Sequence, residues 1–149
     1  MEYCLEQGLV KSIGVSNYGP AHLEAMKQYA SYMPCVNQVE FNPWLQRPHL
    51  KQATEDAGAR VMAYSPLARG HKVNDPELVM IAEKVGCTPA QLAIKFCYDE
   101  GCITIPKSSN PLRIIENLES LNFDISDVYE QIKSLECNYV SGWDPTSED

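Results

Sequence analysis

The chain has 149 residues, of which 44% are hydrophobic and 21% charged, so it has the composition of an ordinary globular domain, and disorder and a collagen repeat are excluded. Twelve Lys and Arg against twenty Asp and Glu leave a net charge of -8, which repels a phosphate backbone and argues against a nucleic-acid partner. No run approaches the roughly 18 apolar residues of a membrane span, and MEYCLEQG lacks the basic flank and apolar core of a signal peptide, so a cytoplasmic protein without a membrane partner is expected.

In chain order, the first β-like run is 12–15, followed by a helix whose first turn holds Pro20. A second run, 36–41, precedes a helix from Pro48 with a weak stripe at Leu50, Ala53 and Ala57, closed by Gly58. The third run, 60–64, leads to a helix between Pro76 and Gly86, where Leu78, Ile81, Ala82 and Val85 repeat at i, i+3, i+4 and i+7. Thr88 and Gln91 have capping-box spacing ahead of the apolar residues 92–97, in a helix opened by Pro89. The fourth run, 102–105, is followed by Asn110 as a cap, Pro111 in the first turn, and Ile114, Leu118 and Leu121 along the helix. Ser126 is expected to cap a last helix carrying Val128, Ile132 and Leu135, and the polar tail 141–149 is expected to be mobile at its end. Pro suits a first helical turn because its missing N–H has no partner to lose there.

Strands alternating with helices predict βαβ units and a parallel sheet, and no domain boundary is visible between residues 1 and 149. The run VNQVEF is too polar for a strand covered by helices on both faces, which favours one side of a (β/α) barrel over an open sheet. In a barrel, polar residues at the carboxyl ends of strands line the site, and here the ends carry Ser16 and Asn17, Gln38 and Glu40, Tyr64 and Ser65, and Lys107 and Ser108.

The segment IPKSSNPLRIIEN places Lys107 and Ser108 before a Pro-started helix that presents Arg113, Glu116 and Asn117. A helix N-terminus with adjacent Lys and Arg suits a phosphate monoester, and Glu116 with Asn117 offers an acceptor and a donor for a purine. The same spacing also describes a capped surface helix with Arg113 and Glu116 in an ion pair. Tyr64 suits stacking on a flat ring and equally suits a core position; Ser16, Asn17 and Gln38 suit an amide ligand and equally suit local capping. No G-x-G-x-x-G, P-loop or G-x-S-x-G is present. Six cysteines without a CxxC pair read as reduced thiols, and with His22, His49 and His71 scattered no metal site is expected.

GLVKSIGVSNYGPAHLE, VNQVEFNPWLQ, RVMAYSPLARG and TPAQLAIKFCYDEGCITIPKSSNPLRIIENL, in that order, closely resemble the aldo-keto reductases, from Met1 to about Leu135. The resemblance implies a TIM barrel that reduces aldehydes and ketones with NADPH and uses neither metal nor flavin. It implies that Ser16, Asn17 and Gln38 hold the nicotinamide carboxamide, that Tyr64 stacks on the nicotinamide ring, and that Ser65 and Leu67 contact the pyrophosphate side. It further implies that Lys107, Ser108 and Arg113 grip the 2′-phosphate, with Glu116 and Asn117 on the adenine.

A full barrel takes about 250 residues and eight strands, and the likeness covers strands five to eight with their helices and the start of the tail. The family's catalytic tyrosine, lysine, aspartate and histidine lie on the first four strands, so no catalytic residue is assigned. Met1 and Glu2 align with an interior Met-Glu of the family. The expectation is therefore a fragment, the C-terminal NADP(H)-binding half of an aldo-keto reductase, acting on a small carbonyl substrate when completed. The alternative is a non-catalytic NADP(H)-binding or subunit-interaction module. Open edges on the first and fourth strands lead us to expect self-association or pairing with the missing half. Trp44 and Trp143 are candidates for lining a substrate pocket.

Overall fold

Five helices begin at a proline whose fixed φ already suits the first turn. The computed structural model describes residues 1–147, so the end of the polar tail, expected to be mobile, lies outside the described residues. Within them the order is α1 (Glu2–Glu6), β1 (Val15–Ser16), α2 (Pro20–Met26), β2 (Val36–Glu40), α3 (Pro48–Asp56), β3 (Arg60–Tyr64), α4 (Pro76–Val85), α5 (Pro89–Asp99), β4 (Ile103–Thr104), α6 (Pro111–Glu119) and α7 (Tyr129–Lys133).

Side-chain caps follow the sequence closely. Thr88 Oγ1 accepts from Gln91 N at 3.2 Å while Gln91 Oε1 accepts from Thr88 N at 3.0 Å, closing the capping box of α5. Asn110 Oδ1 accepts from Leu112 N at 2.9 Å, and Gly86, at φ 74, ends α4 in the left-handed conformation. Ser126 departs from expectation. It opens a 3-10 turn ahead of α7 and its side chain caps no backbone N–H; the acceptor at this turn is Asp124 Oδ1, which takes Ser126 N at 3.0 Å, so the aspartate two residues earlier does the capping.

The strands are ordered β1-β2-β3-β4. β1 and β2 pair in parallel with Val15 opposite Asn37 and Ser16 opposite Gln38. Arg60 N donates to Cys35 O at 3.0 Å and Phe41 N to Tyr64 O at 3.3 Å, so residue numbers rise together along β2 and β3. β3 matches the expected run, and β2 is one residue shorter. β4 is two residues long, shorter than 102–105, and Pro106 has no N–H to extend its ladder; β1 is also two residues but overlaps 12–15 only at Val15 and continues to Ser16, ending where the backbone turns left-handed at Asn17, φ 61.

The described residues form two compact units, one of residues Met1–Val39, Arg47–Met62 and 144–147, the other of Glu40–Gln46 and Ala63–Trp143. In the first, α2 and α3 pack together, with Leu23, Met26, Leu50 and Val61 buried. There the Arg47 guanidinium holds the final segment, with Nη1 3.0 Å from Asp144 Oδ2, Nη2 2.9 Å from Asp144 Oδ1, and Nη1 donating to Thr146 Oγ1 at 2.8 Å.

In the second unit the core is Phe41, Trp44, Leu78, Leu92, Phe96, Ile125 and Ile132, with the Phe41 and Phe96 rings stacked at 6.5 Å. Burying each such side chain contributes about 1.5–3 kcal/mol. Trp44 is thus a core residue rather than a pocket wall, and its carbonyl accepts from Tyr139 N at 2.9 Å; Trp143 is exposed. Glu40, 1% exposed, accepts from Ser141 N at 3.1 Å and so anchors the chain leaving α7. Among the described residues no helix is long and apolar enough to cross a membrane.

Candidate functional site

Three chain reversals in the second unit converge on a cavity of about 640 Å³. β3 ends at Tyr64, and the backbone then takes positive φ at Ser65 (48°), Ala68 (46°) and Arg69 (55°). A non-glycine residue in this region costs of order 1 kcal/mol or more, and such strain concentrates where the chain must aim groups at a site. The start of α5, at Thr88 and Pro89, forms a second wall, and the segment from Ile105 to Ser108 with the first turns of α6 forms the third.

Seven of the eleven residues singled out from sequence line this cavity: Ser65, Leu67, Lys107, Ser108, Arg113, Glu116 and Asn117. Ser108 Oγ accepts from Asn110 N at 3.2 Å, steadying the turn into α6. The Arg113–Glu116 ion pair does not form. Glu116 Oε1 instead accepts from Thr88 Oγ1 at 2.7 Å, and its backbone carbonyl accepts from Gln91 Nε2 at 3.1 Å, so the cap of α5 holds the middle of α6.

Arg113 and Lys107 are exposed at the rim, and Arg69, which sequence reasoning missed, joins them, its guanidinium lying against Gly142. Among the described residues none of these three cations has a carboxylate within ion-pair distance. The lining therefore carries three cations and one carboxylate in a chain of net charge -8. The signal for Arg69 was the LARG run after Tyr64-Ser65-Pro66, a cation placed by the same reversal. Tyr64 is half-buried and is not part of this lining.

The remaining three residues, Ser16, Asn17 and Gln38, form a separate group in the first unit. Gln38 O accepts from Ser16 Oγ and from Asn17 N, both at 2.9 Å, and Gln38 Nε2 lies 3.2 Å from Met62 Sδ. Asn17 Oδ1 is buried without a hydrogen-bond partner, an acceptor in need of a donor.

A residue the sequence reading passed over holds this group in place. Asn37, fully buried, donates from Nδ2 to Tyr18 O at 2.8 Å and to Thr54 Oγ1 at 3.2 Å, and its Oδ1 accepts from Tyr18 N at 3.3 Å. Its signal was two adjacent polar residues in one strand, which must point to opposite faces.

Tyr129 is not set up as an acid. Burial, and then a hydrogen bond to Glu100, push the Tyr129 hydroxyl well above the ordinary phenol value, making it a poorer proton donor.

A parallel β/α sheet with a cation-lined cavity beyond its strand ends is the arrangement of a partial (β/α) barrel. The model of the aldo/keto reductase family matches residues 1–136, and the chain belongs to that family. It is 43% identical over 141 residues to aldose reductase B of Dictyostelium discoideum, covering 93% of this chain and 45% of that one. It is 37% identical over 147 residues to an uncharacterized oxidoreductase of Schizosaccharomyces pombe, covering 97% and 54%. Among solved structures, an aldo-keto reductase from a Medee basin deep-sea metagenome library matches with a TM-score of 0.90 at 30% identity, covering 99% of this chain and 57% of that one. The chain spans about half the length of the curated relatives it matches.

Proposed function

We propose that this chain binds NADP(H) and forms the cofactor-binding half of a carbonyl reductase. The observation that carries the reading is the cluster of unpaired cations, Arg69, Lys107 and Arg113, around one cavity of an acidic chain. A phosphate monoester satisfies that cluster, with the Arg113 fork donating to two phosphate oxygens and Lys107 acting as a point charge. Glu116 has one carboxylate oxygen held by Thr88, leaving the other to accept from an adenine amine, with Asn117 beside it.

In the first unit, the orphaned Asn17 Oδ1 suits an amide N–H of a nicotinamide carboxamide, with Ser16 and Gln38 as its neighbours. Tyr64 is assigned to the nicotinamide ring, and Ser65 and Leu67 to the pyrophosphate side. When bound, the cofactor supplies a hydride to a carbonyl carbon. No residue of this chain is assigned as the acid that protonates the oxygen, so binding is proposed for this chain, and aldehyde or ketone reduction for the full length of its relatives.

The test is fluorescence titration of NADPH and NADH against wild type and Arg113→Ala. Charge-assisted hydrogen bonds contribute about 1.5–3 kcal/mol, so the variant should lose roughly 10- to 100-fold for NADPH and little for NADH. Equal losses for the two cofactors, or no preference in the wild type, overturn the 2′-phosphate assignment.

A further inference from the structure

Arg69 reaches the rim of the second-unit cavity on a strained turn. Ala68 and Arg69 are consecutive non-glycine residues at positive φ, 46° and 55°, and Ser65 shortly before them is a third, at 48°. Such a conformation persists only where the surroundings over-determine it. Part of that support is internal: Ala68 N donates to Ser65 O at 2.9 Å, Gly70 N donates to Leu67 O at 2.7 Å, and Ala68 is fully buried.

The rest comes from residues 137–142, which follow α7 in the same compact unit. The base of this segment is fixed: Cys137 N and Tyr139 N both donate to Trp44 O, at 3.3 and 2.9 Å, and Ser141 N donates to Glu40 Oε1 at 3.1 Å, with Trp44 and Glu40 fully buried. From that base it touches the turn at three points. Tyr139 Oη lies 3.1 Å from His71 Nδ1, the two rings meeting edge to face at 6.5 Å, and Lys72 Nζ stands 5.2 Å over the Tyr139 ring. The Arg69 guanidinium lies against Gly142, where a Cβ would meet Nη2 at 2.9 Å and Cζ at 3.0 Å. Gly142 is not among the residues at positive φ, so glycine is needed there for the close approach and not for the backbone.

We propose that Tyr139 and Gly142 are positioning residues for this cavity: the segment that carries them straps down the 68–72 turn and so fixes Arg69 at the rim that Lys107 and Arg113 also line. An arginine free in solvent gives up rotamer freedom when it grips an anion, and one already ordered against a strap gives up less, so the strap tightens binding without touching the ligand. The positioning role rests on the NADP(H) site proposed for this cavity; the hold on the turn does not, and the two are read separately.

Without ligand, amide exchange at residues 68–71 should rise roughly 10-fold in Tyr139→Leu, which loses the contacts with His71 and Lys72. It should keep the wild-type rate in Gly142→Ala, which displaces only the guanidinium. With NADPH, followed by fluorescence on the whole chain, Arg69→Ala should bind roughly 10-fold more weakly, and Tyr139→Leu and Gly142→Ala roughly 3- to 10-fold more weakly. The double variant Tyr139→Leu, Arg69→Ala should bind no more weakly than Arg69→Ala alone, because the strap acts through that one side chain; a merely structural role would make the two losses add. Unchanged exchange in Tyr139→Leu, wild-type affinity in Tyr139→Leu or Gly142→Ala, or additive losses in the double variant overturns the proposal. A wild type that binds no NADPH overturns the positioning role together with the NADP(H) site, a failure told apart from the others because it occurs without any substitution.

Discussion

Replacing Asn37 by Leu keeps the volume of the side chain at a fully buried position and removes three hydrogen bonds, to Tyr18 N, Tyr18 O and Thr54 Oγ1. Thr54 Oγ1 still donates to Leu50 O at 2.8 Å, so its loss is small. The two backbone groups of Tyr18 are part-buried and lose their partner. With a net 0.5–1.5 kcal/mol per hydrogen bond and a desolvation cost for what remains unpaired, the change should destabilise by about 2–4 kcal/mol. In urea, at a slope of about 1–3 kcal/mol per molar, the midpoint should fall by roughly 1–2 M with the slope unchanged. Tyr18 follows Asn17, so the same change should loosen the turn carrying Ser16 and Asn17 and raise amide exchange there. A fall below about 0.5 kcal/mol, or unchanged exchange at residues 16–18, would show that Asn37 does not hold this turn.

The segment from Asp144 should respond to acid. Burial raises the Asp144 pKa, but hydrogen bonds from Arg47 and Thr146 and the Arg47 charge outweigh that and leave it below the ordinary 3.8. Its folded value is depressed, so the tether is fully formed above the ordinary carboxylate range and is lost as pH falls through the lower folded value. Amide exchange of residues 144–146 should rise on that acid limb, and Arg47→Ala should abolish the dependence; an identical profile in the variant refutes the pairing.

Gly19→Ala should displace the same segment, since a Cβ there would meet Thr146 O at 2.3 Å, and a backbone oxygen cannot swing aside. Faster proteolysis near residue 144 with a loss of about 1–3 kcal/mol is expected, and wild-type resistance would count against the contact. Cysteine labelling should be graded. Cys35 and Cys137 are exposed and should react promptly, whereas burial pushes the Cys97 thiol well above its ordinary value, so Cys97 should react only on unfolding. Prompt labelling of Cys97 in the folded protein contradicts its placement.

What could be read in advance divides by range of interaction. Helix starts were legible because Pro20, Pro48, Pro76, Pro89 and Pro111 act through their own φ and missing N–H, and the Thr88–Gln91 box acts within one turn. β3 was legible for the same reason, as a clean apolar run bounded by Gly58 and Pro66. The short β1 and β4 were not, since their extent depends on which neighbours they pair with, a property of the assembled sheet. Ser126 misled because Asp124, two residues earlier, is the side chain that accepts a backbone N–H at this turn, that of Ser126 itself.

In the site, the grouping of Lys107, Ser108 and Arg113 was visible because a strand end, two cations and a capped helix stand within a few residues. Asn37 and Arg69 were hidden because their partners, Tyr18 and Gly142, are distant in sequence, and Glu40, read as a strand-end site residue, is buried against Ser141 for the same reason. The bare apolar stripe of α6 was visible as a pattern, but a pattern cannot say whether anything covers it.

Adenosine 2′,5′-bisphosphate carries the phosphate and adenine of NADP without the nicotinamide, so it addresses the second-unit cavity alone. Titrating it into the isotopically labelled chain and following amide shifts should perturb Lys107, Ser108, Arg113 and Asn117, with a much weaker response to adenosine 5′-monophosphate. Equal responses to the two nucleotides, or shifts that avoid these residues, would contradict a 2′-phosphate site at the start of α6.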